Sequence, residues 1–454
     1  MVVRQEFRNL AQRFPAQFSA GQPAWFIRAP GRINLIGEHT DYNGFSVMPM
    51  AIERAIRMAV APRDDGLVVL KNVDPSLYGD RDFEVGASIP PYPTGDWGNY
   101  AKAAVQSLVG CAPDGGWTGD ELKGMSCLVE GDVPPAAGLS SSTALVVAAG
   151  LAFSAVNRLG VGRRAMADRM AAAEHYVGTQ GGGMDQAVCL LGREGELLKI
   201  DFFPLRTRRV PFPHDCRIIA AHSTVRVPKS GEQRLAYNRR VLECRIAAHL
   251  LARELGVEPP ERLADVVHGD AGKSLSDLLE ILERAVQGRE SVSLRRASAL
   301  FGVAPGQFAR RLLRMEDGLL LPMPADGLRI LPRCRHVFSE AARVEEAEAC
   351  LRSGDLEEFG RLMDESHESC AADYEISCYE LDQVVELMRG AGALGARLTG
   401  AGFGGFAIAL ARRERVEAIE QTLHTDFYEH RGASAEGNVF VFVPAAGALQ
   451  ERAP

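Results

Sequence analysis

The chain has 454 residues, 46% of them hydrophobic and 24% charged, the composition of an ordinary globular protein of roughly two to four domains. Its 51 Lys+Arg against 59 Asp+Glu leave a formal charge of −8, which excludes a basic surface that wraps nucleic acid and leaves any polyanion to a small local site. A chain of this length buries a core without disulfide staples.

Arg4, Glu6, Arg8 and Arg13 interrupt the N-terminal stretch, so no secretory signal is expected there. Residues 56–60 and 67–70 flank the turn-like 62–66 and read as a β-hairpin with a long loop. Residues 127–129 read as another strand. Residues 145–159 are apolar on nearly every face and predict a buried helix. The most apolar run, 144–153, is too short to cross a bilayer, so no membrane partner is expected. Met166, Met170, Ala173 and Val177 recur at helical spacing, with Gly178 as the stop. Residues 218–221 predict a core strand. A domain division near 200–215 gives 1–205 and 206–454. Residues 286–325 mix helical patterns with the start of a loop at 323–327. Residues 406–410 and 439–443 read as strands around a charged helical stretch at 412–424, a βαβ-like ending. The nine cysteines (Cys111, Cys127, Cys189, Cys216, Cys244, Cys334, Cys350, Cys370 and Cys378) are scattered and form no CxxC pair. Neither a disulfide framework nor a zinc knuckle is indicated, and a cytoplasmic location is expected. The fold class is α+β, mixed sheets with helices packed on them.

Glycine-rich segments carry the chemistry. Pro134-Pro135-Ala136-Ala137-Gly138-Leu139-Ser140-Ser141-Ser142-Thr143 runs from a strand into the buried helix. Glycine lets the backbone turn tightly, and the first N–H groups of a helix are unpaired and favour anions. The serines can cap the helix, donate to phosphate oxygens or hold a metal. A phosphate cradle and a plain helix cap both fit, and the absence of GKS or GKT excludes a Walker A loop. Thr399-Gly400-Ala401-Gly402-Phe403-Gly404-Gly405-Phe406 precedes a strand and marks either a close backbone approach or a tight turn that supports the fold.

The most polar segment is Ala29-Pro30-Gly31-Arg32-Ile33-Asn34-Leu35-Ile36-Gly37-Glu38-His39-Thr40-Asp41-Tyr42-Asn43-Gly44. Carboxylate and imidazole groups suit a hydroxyl-rich substrate. A solvated loop explains any one of Arg32, Glu38, His39 and Asp41, but explains all four together poorly. A metal site from Glu38, His39 and Asp41 is conceivable, although the spacing matches no familiar pattern. A fourth cluster joins Glu174 to Thr179-Gln180-Gly181-Gly182-Gly183-Met184-Asp185-Gln186. Its glycines allow Asp185 to fold back over a ligand, where a carboxylate beside an arginine stays ionised and can accept a hydroxyl proton. The plainer alternative is that Asp185 caps a helix.

These segments, in this order, resemble the GHMP kinase superfamily, and Gly31-Arg32-Ile33-Asn34-Leu35-Ile36-Gly37-Glu38-His39-Thr40-Asp41-Tyr42 resembles the signature of its galactokinase family. Similarity continues at Trp97-Gly98-Asn99-Tyr100, at Arg335-His336-Val337 and across 362–378, and extends from about residue 24 to 443. The resemblance implies a two-lobed architecture with the active site between the lobes, and ATP-dependent phosphorylation of a hexose at its C1 hydroxyl. It implies Asp185 as the catalytic aspartate and Arg32 as its partner. Ser142 and Glu174 match the pair that holds Mg²⁺, and Gly138, Leu139, Ser140, Ser141, Ser142 and Thr143 match the phosphate loop. Trp97 matches the tryptophan near the adenine, and Glu38, His39, Asp41, the backbone of Gly182 and Tyr237 match sugar contacts. ATP and a sugar are the implied partners, in a monomer or weak homo-oligomer. Gly181 and Gly183 stand where typical bacterial members carry Cys and Ile, and this form, with Val129-Glu130-Gly131-Asp132-Val133-Pro134-Pro135, resembles the N-acetylgalactosamine kinase and plant galactokinase branch. Tyr237 instead keeps the tyrosine of galactose-specific members. Thr143 replaces the usual alanine. A sugar sensor without catalysis would lack part of the serine loop, which is uninterrupted here. A mevalonate-type kinase is disfavoured by Glu38-His39-Thr40-Asp41.

Overall fold

The computed structural model describes residues 3–19, 21–109, 122–135, 138–178, 181–226, 232–269, 273–314 and 320–454. Cys111, Ala136, Ala137, Thr179 and Gln180, which the sequence reading included, lie outside the described residues, as does 315–319 of the 286–325 stretch. The chain forms two compact units, each discontinuous in sequence. Met1–Ile33, Pro49–Leu198 and Phe442–Pro454 make the first, and Asn34–Met48 with Lys199–Val441 make the second.

The first unit is built on a six-stranded sheet in the order Leu449–Arg452, Trp25–Asn34, Pro49–Arg63, Gly124–Gly131, Leu67–Asn72, Arg81–Glu84. The expected hairpin is therefore not formed. Both of its strands exist, but Gly124–Gly131 lies between them, antiparallel to Pro49–Arg63 and parallel to Leu67–Asn72. Burial explains the order. Residues 124–129 are buried at every position, whereas Leu67–Asn72 alternates, and a continuously apolar strand takes an inner place. Gly124 makes this neighbour possible, because a Cβ there would sit 2.1 Å from the Leu67 carbonyl oxygen.

The buried helix expected at 145–159 is observed as Ser141–Asn157, with every residue from 142 to 156 buried. It packs against the helix Gly98–Val109 and the strand Pro49–Arg63. Fully burying each of its Leu, Val and Phe side chains contributes about 1.5–3 kcal/mol. The spacing of Met166 and Met170 forms the helix Arg163–Ala173, which tightens into a 3₁₀ turn at Glu174–Val177 and stops at Gly178 with φ +81°. The helix Arg8–Gln17 places Leu10 and Phe14 in a smaller core with Phe7 and Phe26.

The second unit holds a four-stranded sheet in the order Val439–Phe442, Cys216–His222, Phe406–Arg412, Gly395–Leu398. The strands read at 406–410 and 439–443 are present, but Cys216–His222 lies between them. Helices cover this sheet, among them Glu232–Leu255, Ile330–Ser353, Leu356–Ala372 and Tyr379–Gly390, around a single large apolar cluster. The 286–325 stretch contains the short helices Leu294–Leu300 and Pro305–Leu312. The polar segment Asn34–Met48 belongs to this unit, bridged to it through Val47 and Ile200.

Candidate active site

In the first unit, Arg32 lies near the end of the strand Trp25–Asn34 and Asp185 is the second residue of the helix Met184–Leu191. Gly183, at φ +100°, turns the chain into that helix. The Arg32 guanidinium grips Asp185 with both arms, Nε to Oδ1 at 2.7 Å and Nη2 to Oδ2 at 3.0 Å. Such forked pairs fix orientation as well as charge. Arg32 Nη1 donates to the Gly138 carbonyl, and its main-chain N–H donates to Leu139 at 3.2 Å. This approach requires Gly31, where a Cβ would meet the Leu139 carbonyl oxygen at 2.7 Å.

Ser140 precedes the helix Ser141–Asn157 in a left-handed conformation, φ +61°, and its hydroxyl donates to Asp185 Oδ2. The capping alternatives are not observed. Neither Ser140 nor Gly183 caps its helix with a side chain, and Asp185 lies inside its own. Arg32, the loop Gly138-Leu139-Ser140 and Asp185, well separated in the chain, thus form one constellation at the start of two helices, where unpaired N–H groups favour an anion. The arginine is 7% and the aspartate 22% exposed, so the carboxylate keeps a face open to a ligand.

Glu174 is buried at the end of Arg163–Ala173, and Thr143 Oγ1 donates to its Oε1 at 2.5 Å. The Thr143 side chain is therefore engaged with a carboxylate. Ser142, also buried, neighbours it on the first turn of the helix. Hydroxyl and carboxylate oxygens are hard donors, and a hydrogen-bonded buried acid is a suitable holder for Mg²⁺, which takes few protein ligands. Trp97 precedes the helix Gly98–Val109. Its indole N–H donates to the Gly79 carbonyl at 3.0 Å, and its ring meets Tyr78 edge-on. Gly182 lies in the turn before Gly183.

Glu38, His39, Asp41 and Tyr237 all fall in the second unit. The turn that presents them is tied by Thr40 Oγ1 to the carbonyls of Gly37 and Ser46 and by Asn43 Nδ2 to that of His39. Glu38 is 2% exposed and pairs with Arg397 at 3.0 Å. Its main-chain N–H, with that of Gly37, donates to Glu340 Oε1. Glu340 also accepts from Ser366 and Arg343. Burial alone would raise the Glu340 carboxyl, but Arg343 and Arg397 outweigh it and hold it far below the usual range.

His39 is pushed down to about 3 by burial and then by His336, so it is neutral at working pH. Its Nε2 lies 3.2 Å from the Ala401 carbonyl oxygen and must carry the proton, which assigns Nδ1 as acceptor from Tyr42 Oη at 2.9 Å. Tyr42 Oη in turn lies 2.7 Å from Tyr374 Oη. Both ring nitrogens are engaged, so a sugar hydroxyl that bonds the imidazole must replace one of these partners. Tyr237 packs its ring against His39 with centroids 5.3 Å apart.

Arg397 and Glu340 are not marked in the sequence, and Tyr374 is marked only as part of the stretch 362–378. The available signal was weak. His336 and Glu340 are four apart and so share one helix face, which points at the 37–39 turn through Glu38 and Gly37. The cluster Glu38, His39, Asp41 is not a metal centre. Among the described residues no group of three or more His, Cys, Asp and Glu side chains is arranged to hold a metal ion.

A phosphate-type helix start beside a forked Arg–Asp pair, on a fold of this kind, defines a class. The family model described as "GHMP kinases N terminal domain" matches 99–193, and "GHMP kinases C terminal" matches 347–430. The fold is that of the GHMP kinases. The "Galactokinase galactose-binding signature" matches 12–62. A galactokinase of Chloroflexus aggregans is 35% identical over 87% of this chain and 86% of its own length. One of Dictyostelium discoideum is 31% identical over 94% and 88%. The crystal structure of Lactococcus lactis galactokinase complexed with galactose matches with a TM-score of 0.74 at 27% identity, over 98% of this chain and all of that one. The chain belongs to the galactokinase family and is a sugar kinase.

Proposed function

We propose that this chain transfers the γ-phosphoryl group of ATP to the C1 hydroxyl of galactose, giving galactose 1-phosphate and ADP. The observation that carries the reading is Asp185, held in two-pronged fashion by Arg32 and bonded by Ser140 at the start of two helices. Phosphoryl transfer depends on alignment and charge neutralisation rather than covalent help. Asp185 orients the C1 hydroxyl and takes its proton late, as the new O–P bond forms and the bond to the β-phosphate oxygen breaks. Arg32 keeps Asp185 aligned and places positive charge beside the transferring group.

Gly138, Leu139, Ser140, Ser141, Ser142 and Thr143 serve the phosphates, and Trp97 serves the adenine. Ser142 and Glu174 hold Mg²⁺, which when bound neutralises phosphate charge. The Thr143 bond fixes the Glu174 carboxylate for that task. Glu38, Asp41 and Tyr237, with His39 and the backbone of Gly182, recognise the sugar hydroxyls. Tyr237 packed on His39 favours galactose over an N-acetylated sugar, a discrimination of about 1–3 kcal/mol for a pocket change of this size. A cytoplasmic location and a monomer or weak homo-oligomer complete the proposal. Separately, no described helix is long and apolar enough to cross a membrane, and the eight described cysteines are free.

The test is ADP release from Mg·ATP with galactose, N-acetylgalactosamine, glucose, arabinose and galacturonate. Galactose is expected to give the highest kcat/KM. A preference for N-acetylgalactosamine overturns the sugar assignment. Tight sugar binding with no ADP release overturns the kinase reading in favour of a sensor.

A further inference from the structure

A cavity of about 310 Å³ in the first unit is lined by Arg4, Glu6, Arg28, Arg163 and Arg193, with residues 190–192 and 446–449. None of these residues has a part in the proposed reaction, and their charges do not balance. Arg4 is paired with Glu451 at 2.9 Å. Glu6 is shared, 3.7 Å from Arg28 Nε and 3.8 Å from Arg57 Nε. The Arg28 side chain is only 13% exposed, and its Nε has no hydrogen-bond partner among the described residues. Its Nη2 donates to the carbonyls of Ala446 at 2.7 Å and Gly447 at 2.9 Å.

Arg163 is exposed overall, yet its Nη1 is drawn in to the carbonyls of Leu190 at 2.8 Å and Ala448 at 2.7 Å. These bonds orient the guanidinium without neutralising it. Among the described residues no carboxylate pairs with Arg163 or Arg193. Burial, and after it the like charge of Arg193, lowers the Arg163 pKa, so the two cations repel one another across the site.

Two uncompensated guanidiniums, one fixed by backbone carbonyls, match the charge of a phosphomonoester, about −1.5 to −2 near neutral pH. Their forked donors match its oxygens. The volume falls at the lower end of small-molecule sites, roughly 300–1,000 Å³, and leaves room for more than the phosphate alone. We propose that this cavity binds a phosphomonoester dianion through Arg163 and Arg193. The source is either a small phosphorylated metabolite or free phosphate.

The test is calorimetry on the full chain with its nucleotide site filled by Mg²⁺ and the non-hydrolysable β,γ-imido analogue of ATP. The probes are glucose 6-phosphate and inorganic phosphate. One further equivalent is expected to bind, at least tenfold more weakly in Arg163→Gln/Arg193→Gln. Arg193→Glu alone, which disturbs no side-chain bond among the described residues, is expected to weaken binding as much. Tighter binding of the sugar phosphate assigns the site to a metabolite, and equal binding assigns it to free phosphate. No binding beside the nucleotide analogue, or unchanged binding in both variants, overturns the proposal.

Discussion

Asp185 engages Arg32 through both carboxylate oxygens and accepts from Ser140 as well, so its position is set from two directions. Removing it deletes the proposed proton acceptor and frees Arg32. Asp185→Ala is expected to lower kcat by about 10²–10⁴-fold, the usual worth of a placed acid–base group, while leaving Mg·ADP affinity close to wild type. Single-turnover kinetics with parallel calorimetry separate the two, and near-normal turnover would refute the role. Thr143 acts one bond further out. Its hydroxyl holds Glu174, and partners that orient a metal ligand typically affect metal affinity by about 10–100-fold. Thr143→Val, nearly the same shape, should raise the Mg²⁺ concentration for half-maximal rate about tenfold, with Thr143→Ser restoring it. Mn²⁺ binding followed by paramagnetic resonance provides a readout apart from turnover. If Val and Thr bind the ion equally, the hydroxyl has no such task.

At the scale of elements, the helix Ile330–Ser353 holds the 37–39 turn. Glu340 accepts from the N–H groups of Gly37 and Glu38, and His336 Nε2 lies 3.0 Å from the Glu38 carbonyl oxygen. Burial lowers His336 from 6.5 to about 4 and His39 from 6.5 to about 3. The unfolded chain therefore binds protons that the folded chain does not between pH 6.5 and about 3 to 4. Their contribution to stability is complete above pH 6.5 and falls as the pH drops through that window. Glu340 acts in the same direction but lower on the pH scale. Its carboxyl is held low, so its stabilising effect is present above its ordinary value of 4.5 and is lost only in stronger acid. Urea unfolding should thus show lower stability at pH 5 than at pH 7, and His336→Asn should flatten that slope. Equal stability at the two pH values would mean that the histidines are charged in the folded state.

At the scale of the whole molecule, the residues assigned to nucleotide and to sugar divide between the units. Arg32, the serine loop, Glu174 and Asp185 lie in the first, and the sugar residues Glu38, His39, Asp41 and Tyr237 in the second, with the backbone of Gly182 the exception in the first. Ligands that bind only the folded state raise its stability, and most strongly where they touch. Hydrogen exchange with Mg·ADP alone should slow amides chiefly in 138–143 and 174–185. Galactose alone should slow those of 37–44 and of the helix segment around 336–340. Protection in the reverse pattern would exchange the two assignments.

Several features are local and were therefore legible in the chain itself. Residues 142–156 bury every position because they carry no polar face, and Gly178 stops a helix because it takes a left-handed turn. The polar signature at 31–42 is a continuous string, so its chemistry can be read without a fold. Partner choice is not local. Nothing in 56–70 states that Gly124–Gly131 inserts between its two strands, since that depends on which strand is apolar on both faces. Nor does the sequence near residue 38 reveal Arg397 and Glu340; Arg397 is tolerated in the interior because Glu38 and Glu340, from distant elements, pair with it, and Glu340 because Arg343 of its own helix and the distant Arg397 do. Sequence alone marked many of the elements and the candidate reacting groups. Tertiary structure decided which groups meet, because burial and charge pairing act between residues hundreds of positions apart.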